Sequence, residues 1–355
     1  MSTPLQSSSS LTAPTAKMAK SNSLAVRKLG NTELSLTELG FGGASVGNLH
    51  RASTDAEAYG AMAAALDAGV LYFDTAPHYG HGLSEQRFGT FFAGRKPDHL
   101  VLSTKVGRLL EPSGPEGAPD HGFVDPLPFT QVYDYSYDGV MRSFEQSQKR
   151  LKGLPIDILL MHDIGAHTHG QENHARLFAQ AINDGFRAMQ ELKDAGDVSA
   201  IGLGVNEWEV CLEALEHTDP DVFMLAGRHT LLEREASKNL FPTCTERNVS
   251  VISAAPFNSG LLARRPDASS RYNYQHAPSE IVVVAQELFD NVEQRGGSLQ
   301  AAALQFPLRH PCVVSIVGGM ANAERVQSTI GWLKENVSAE VWTYLESDQS
   351  LSSRK

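Results

Sequence analysis

Four side chains in this 355-residue chain have the types and spacing to hold and move a proton between them. Asp74 and Tyr79 lie in "FDTAPHYGHG", where an apolar run breaks into Asp, Thr, Pro, His, Tyr and glycines. Lys105 closes "LVLSTK" and His162 closes "IDILLMH", again where apolar runs stop. Each alone has a plain structural reading: a lysine snorkelling to the surface, a hydrogen-bonded core histidine, an aspartate fixing a turn. The combination is more specific. A buried ammonium needs a carboxylate partner, and a buried phenol needs a polar neighbour.

Positioning four such groups requires elements that all end at one place. From residue 40 onward, short apolar runs alternate with helix-patterned stretches. The strand candidates are 39–44, 70–75, 100–105, 156–162, 200–205, 221–226, 249–254 and 313–318. Between them lie amphipathic segments such as "AEAYGAMAAALDAG", capped by Thr54 or Asp55 and closed by Gly69, with a further one at 182–196. Near-continuous apolar strands suit a parallel sheet buried on both faces. Eight of them, each followed by a helix, indicate an α/β fold of the (β/α)8 TIM-barrel type. A doubly wound sheet is the competing arrangement, but "GFGGASVG" after the first strand lacks the glycine spacing and following acid of a dinucleotide turn. Ahead of the barrel, "VRKLGNTELSLTELG" reads as an N-terminal β-hairpin turning at Gly30-Asn31, able to plug the barrel floor. The long loop after strand 3, residues 106–137, reads as a lid or binding loop. In a barrel of this kind chemistry sits at the C-terminal ends of the strands, where Asp74, Lys105 and His162 fall.

Composition narrows the classes. With 41% hydrophobic and 20% charged residues the chain has ordinary globular composition. A net charge of −11 argues against nucleic-acid or anionic-membrane partners. No apolar run reaches the ~20 residues of a membrane span. The three cysteines are far apart and in no metal-like spacing, which suits a reducing, cytoplasmic setting. The histidines of "HDIGAHTHG" lack the helix spacing of a metal site, and no metal is expected. Residues 1–24, rich in Ser, Thr and Pro, read as a disordered tail, with a transit peptide as a minor alternative. Residues 25–350 read as a single barrel domain.

The stretch "GVLYFDTAPHYGHGLSEQRFG", with "LSTKVG" and "IDILLMHD", resembles the aldo-keto reductase superfamily from about Arg27 onward. The resemblance implies a catalytic tetrad at Asp74, Tyr79, Lys105 and His162. Further stretches, "DYSYDGVMRSFEQSQKRL", "VNEWEVCLEAL" and "SAAPFNSGLLA", resemble the branch of aldose 1-dehydrogenases and pyridoxal 4-dehydrogenase. The implied reaction oxidises the anomeric hydroxyl of an aldose, such as L-fucose or another D-threo-aldose, to its lactone. Hydride passes to nicotinamide and Tyr79 accepts the proton. The alternatives are oxidation of pyridoxal to 4-pyridoxolactone and general aldehyde or ketone reduction. Because a free phenol ionises near pH 10, Tyr79 is expected to be acidified by Lys105, itself held charged by Asp74. His162 is expected to bind the reacting oxygen as a neutral donor.

The same resemblance places cofactor contacts at Asn206, Phe257, Gly260, Leu261, Gly318, Gly319 and Arg325. Three positions depart from the family pattern, namely Val205, Ala226 and Ala254. Asn206 could instead cap the following helix. Glycines before a helix N-terminus after strand eight suit a phosphate, and with only Arg325 counted there, NAD is expected and NADP is the alternative. Substrate contacts are expected from His78, Asp163 and Trp208, with His167 and His169 nearby, for a small polyol or hemiacetal. A barrel glycosidase, which needs two carboxylates across the pocket, and a cofactor-binding regulatory subunit are the readings of other classes.

Overall fold

The computed structural model describes residues 23–93, 96–114, 116–273 and 275–347. Eight parallel strands close a barrel: β1 (Leu39–Gly42), β2 (Tyr72–Asp74), β3 (Val101–Val106), β4 (Ile158–His162), β5 (Ala200–Val205), β6 (Val222–Ala226), β7 (Ser250–Ala254) and β8 (Val313–Gly319). Each pairs with its sequence neighbours, and β8 returns to β1 through Ile316↔Leu39 and Gly319↔Gly42. Six fall within the expected segments, and β3 and β8 each run one residue past theirs, to Val106 and Gly319. Their two apolar faces have separate destinations. Tyr72, Ile158, Leu160, Val222, Met224, Ile252 and Val317 pack inside the barrel. Phe73, Leu102, Leu159, Ile201, Phe223, Val251 and Ile316 pack outward in the main core. Each such side chain contributes roughly 1.5–3 kcal/mol when fully buried.

The expected hairpin exists, with Val26–Lys28 pairing antiparallel to Ser35–Thr37. It carries Leu29 and Leu36, both fully buried, into the inner cluster and so closes the barrel floor. Gly30 makes this possible. Its φ is +48°, a Cβ there would stand 2.7 Å from the Asn248 carbonyl oxygen, and its N–H donates to Ser250 Oγ at 2.8 Å.

Two segments differ from expectation. The long loop after β3, residues 106–137, carries an unexpected hairpin, Arg108–Pro112 pairing antiparallel with Phe129–Tyr133. The helix expected over 182–196 begins earlier, at Gln171, and passes through a π turn over Ala181–Gly185 before continuing over Phe186–Asp194. The close approach of Gly185 to Met161 and to the Tyr135 backbone explains the absence of a side chain there. The expected tail, residues 1–24, lies outside the described residues except for Ser23 and Leu24, and Leu24 corrects its boundary because it is buried in the main core. Among the described residues no helix is long and apolar enough to cross a membrane.

Candidate active site

The two-residue period of a strand decides what faces the barrel axis. Tyr72 and Asp74 on β2, Ser103 and Lys105 on β3, and Leu160 and His162 on β4 alternate inward, so the last inward position of each strand is polar. Lys105 Nζ donates to Asp74 Oδ2 and Oδ1 at 2.8 and 2.9 Å, to the Thr75 carbonyl at 3.0 Å and to Tyr79 Oη at 3.1 Å. Beneath them, Ser103 Oγ donates to Asp74 Oδ1 at 2.7 Å, and Tyr72 Oη stands 2.9 Å from Ser103 Oγ. A column of hydrogen bonds therefore runs from the middle of the barrel to the phenol at its mouth. Gly204 on β5 leaves room for it, since a Cβ there would lie 3.1 Å from Lys105 Cε. The His162 ring closes the group, its centroid 6.4 Å from that of Tyr79.

Burial sets the charges. Asp74 and Lys105 are each only 2% exposed. Burial pushes the Asp74 carboxyl above its usual range, and the Lys105 ammonium draws it part of the way back. Burial opposes the Lys105 charge as well, but Asp74 and Tyr79 more than compensate, and its pKa is raised. The pair is a buried ion pair. Burial also raises the Tyr79 phenol above 10, against the pull of Lys105. This corrects the expectation of an acidified Tyr79: Lys105 acts in the expected direction, but desolvation outweighs it. Burial, Arg108, Lys105 and His78 hold His162 well below its ordinary value, so its imidazole is neutral near pH 7. Its Nδ1 is buried without a hydrogen-bond partner, as expected of an atom completed by water or a substrate oxygen.

Around this group sits a second ion pair that sequence reasoning missed. Arg108 Nη2 donates to Asp163 Oδ2, with both residues buried. Arg108 Nη1 donates to Gln131 Oε1 at 3.1 Å, and the guanidinium lies 5.1 Å from the centre of the Tyr133 ring. Asp163 also accepts from Asn206 Nδ2 at 3.1 Å and stands 3.4 Å from His162 Nε2. Asn206 is therefore engaged with Asp163, and the cap position of the helix Glu209–Leu215 falls to Trp208. Trp208 packs against the main core and is not part of the cavity wall. His78 lines the cavity and bonds Gln131 through Nδ1 at 2.8 Å. His167 also lines it, while His169 bonds the Tyr135 hydroxyl at 2.8 Å. The sequence signal for Arg108 was its place in "KVGR", one tight glycine turn beyond Lys105. With Asp74 bound to Lys105 and Asp163 to Arg108, neither carboxylate is suited to be the proton donor of a glycosidase.

The tetrad opens into a cavity of about 800 Å³ that reaches the end of β8. Its wall includes Asn206, Phe257, Gly260, Gly318, Gly319 and Arg325 from the expected cofactor set, and also Val205, Ala226 and Ala254. Leu261 instead turns into a second core cluster. Gly260 and Gly318 have open space where a Cβ would stand, so a ligand can approach their backbone closely. An adjoining cavity of about 340 Å³ brings Arg264 and Arg271 beside Arg325. Arg325, expected to stand alone at this end, is thus joined by two arginines from the loop after β7. Three guanidiniums, open glycine backbone and an elongated cavity fit a dinucleotide diphosphate. Among the described residues no group of three or more His, Cys, Asp or Glu is placed to hold a metal ion.

The closed barrel, with a cavity at the C-terminal ends of its strands, defines the class of (β/α)8 proteins. The Aldo/keto reductase family model matches residues 38–348, and the chain belongs to that family. It is 40% identical to pyridoxal 4-dehydrogenase of Microbacterium luteolum, over 92% of this chain and 98% of that one. It is 36% identical to D-threo-aldose 1-dehydrogenase of a Pseudomonas species, over 88% and 94%. A holo aldo-keto reductase of Bacillus halodurans superposes with a TM-score of 0.70 at 25% identity, covering 91% of this chain and 95% of that one. The protein is an NAD(P)-dependent oxidoreductase acting on CH–OH groups.

Proposed function

We propose that the chain oxidises the hydroxyl of a cyclic hemiacetal to a lactone with NAD, using Tyr79 as proton acceptor. The observation that carries the reading is the Tyr79 hydroxyl in the cavity wall, bonded to an ammonium that Asp74 holds charged. When bound, the nicotinamide supplies two-electron redox chemistry that no side chain provides. His162, neutral, fixes the reacting oxygen beside Tyr79. Tyr79 Oη takes the hydroxyl proton, and Lys105 stabilises the phenolate that must be present to receive it. Since burial holds the phenol above 10, oxidation is expected to gain rate as pH rises into the alkaline range. Asn206, Phe257, Gly318, Gly319, Arg264, Arg271 and Arg325 would hold the dinucleotide. The three guanidiniums of Arg264, Arg271 and Arg325 are enough to compensate the two negative charges of an NAD diphosphate.

Pyridoxal in its hemiacetal form is placed ahead of the aldoses, reversing the order drawn from sequence. The polar groups nearest the tetrad, Arg108, Asp163, Gln131 and Asn206, are engaged with one another, which leaves few free partners for the hydroxyls of a sugar. Rings make up part of the remaining wall there, beside Ser45, His121, His167 and Thr168. His78 meets Phe123 edge-on at 5.1 Å, and Tyr79 lies 6.3 Å from Phe123. The similarity to a pyridoxal dehydrogenase over nearly the whole chain supports the same order. The test is NADH formation with pyridoxal and with L-fucose, repeated with NADP, with the lactone identified by mass spectrometry. Turnover of neither compound would sink the reading, and a higher kcat/KM with NADP would overturn the cofactor.

A further inference from the structure

Arg108 has the features of a residue built into the reaction rather than into the fold. It is 6% exposed, stands three residues beyond Lys105, and begins the hairpin strand Arg108–Pro112 immediately after Gly107, whose φ is +94°. Its fork reaches back over the barrel mouth to Asp163. That carboxylate has two other neighbours, His162 Nε2 at 3.4 Å and Asn206 Nδ2 at 3.1 Å. Asp163 is held in an unusual backbone conformation, φ +48°. The Tyr135 hydroxyl holds that turn, 2.9 Å from the His162 carbonyl and 3.1 Å from that of Asp163. A left-handed non-glycine residue persists where its surroundings over-determine it. Here Tyr135 and Arg108 act together with the Asp163 N–H bond to the Gly204 carbonyl at 3.0 Å and the Asn206 amide.

We infer that Arg108 is a positioning residue that acts through Asp163, fixing the substrate-side His162 and the cofactor-side Asn206 in one geometry and tying the 108–133 hairpin to the reaction centre. The inference rests on the reading that His162 holds the reacting oxygen. An Arg fork suits this task because it is planar, permanently charged and able to serve Asp163 and Gln131 at once. Without it, Asp163 would be a buried carboxylate with no cation, and its nearest remaining partner would be the His162 imidazole. The other charged or titratable groups facing His162 are His78 and Tyr79 from the loop after β2, Lys105 from β3, and Tyr135 beyond the hairpin. Removal of Arg108 therefore takes away one of two nearby cations and leaves an uncompensated anion in contact.

The experiment uses the full chain and reads both activity and His162 itself. In R108Q, kcat is expected to fall by about 10²-fold, the scale of misplacement by about an ångström, with a smaller change in KM. Ring NMR of His162, recorded without substrate, is expected to show protonation at a pH higher by about one unit or more than in wild type. In R108Q/D163N that titration is expected to return towards wild type, and kcat to fall no further than in the worse single variant. R108K, which keeps the charge but not the fork, is expected to preserve the His162 titration while lowering kcat. Unchanged kcat and titration in R108Q, or simple additivity in the double variant, overturns the inference. If R108Q does not fold, R108K decides: it keeps the charge and loses the fork, kcat is expected to fall, and an unchanged kcat overturns the inference. Should wild type oxidise no hemiacetal, the proposed reaction fails, while the NMR titration still decides the coupling between Arg108 and His162.

Discussion

Replacing Lys105 by Met removes the ammonium in contact with Tyr79 and keeps most of the side-chain volume. At 3.1 Å from the phenolic oxygen, an ammonium favours the phenolate by about 5 kcal/mol at an effective dielectric of ~20. At about 1.4 kcal/mol per pKa unit, this is a ceiling of nearly ~4 units. Asp74 raises the phenol and would lose its own counter-ion, so roughly 2–4 units is the expected rise. Each unit removes tenfold of the phenolate available near neutrality, which gives a loss of about 10²- to 10⁴-fold. The same change leaves Asp74 buried and unpaired, at a cost of about 3–5 kcal/mol unless it takes up a proton. The activity loss must therefore be separated from the stability loss. The double variant K105M/D74N removes the unpaired charge and is expected to recover melting temperature but not turnover. The assay is the pH–rate profile of NADH formation, set beside a thermal melt at each pH. The alkaline limb should move upward and out of the accessible range in both variants. A folded K105M enzyme with the wild-type profile would remove Lys105 from the proton path.

Tyr79→Phe should lower turnover by about 10²- to 10⁴-fold while NADH binding, followed by fluorescence, stays within about twofold, and near-wild-type turnover would eliminate Tyr79 as the proton acceptor. Gly204→Ala should push on the Lys105 stem, where a Cβ would come within 3.1 Å of Cε, so kcat should drop in a protein of nearly unchanged melting temperature. If kcat holds, the clearance over Lys105 is not limiting. His229 is buried with neither ring nitrogen bonded, and burial lowers its pKa to about 3. It is a base that the fold keeps neutral, so the unfolded chain gains a proton below about pH 6.5 that the folded chain refuses. Its share of stability is lost as pH falls from about 6.5 towards 3, at about 1.4 kcal/mol per pH unit. His229→Leu should flatten urea-derived stability across that window, and an unchanged acid slope would count against the assignment.

The barrel was legible in sequence because its strands are short, largely apolar runs bounded by turn residues. The tetrad was legible because three strands end in ionisable groups. The hairpin inside 106–137 was not, because "RLLEP" buries three residues in a row before two exposed ones and "FTQVY" runs from half-buried to exposed, so neither shows a two-residue period. Arg108 escaped for a related reason: its partner Asp163 is 55 residues away, and nothing local distinguishes it from a surface arginine. The net charge state of Tyr79 was also beyond reach. Contact with Lys105 could be guessed from residue types, but the balance between that contact and desolvation depends on how completely the rim is covered. Arg264 and Arg271 joined Arg325 only through the course of the loop after β7.

The hydroxyls of Tyr72 and Ser103, in series below Asp74, carry a warning for protein engineers. Tyr72 is an obvious target when the interior is repacked for heat resistance, since it is among the largest fully enclosed residues. Its phenylalanine counterpart would fit the same space and look harmless in a melting curve. Yet it would take one rung from the ladder under the Asp74 carboxylate, and the loss would surface at the other end as a displaced pH optimum. In this barrel, libraries screened for thermal endurance alone would drift in acidity response without any substitution near the substrate.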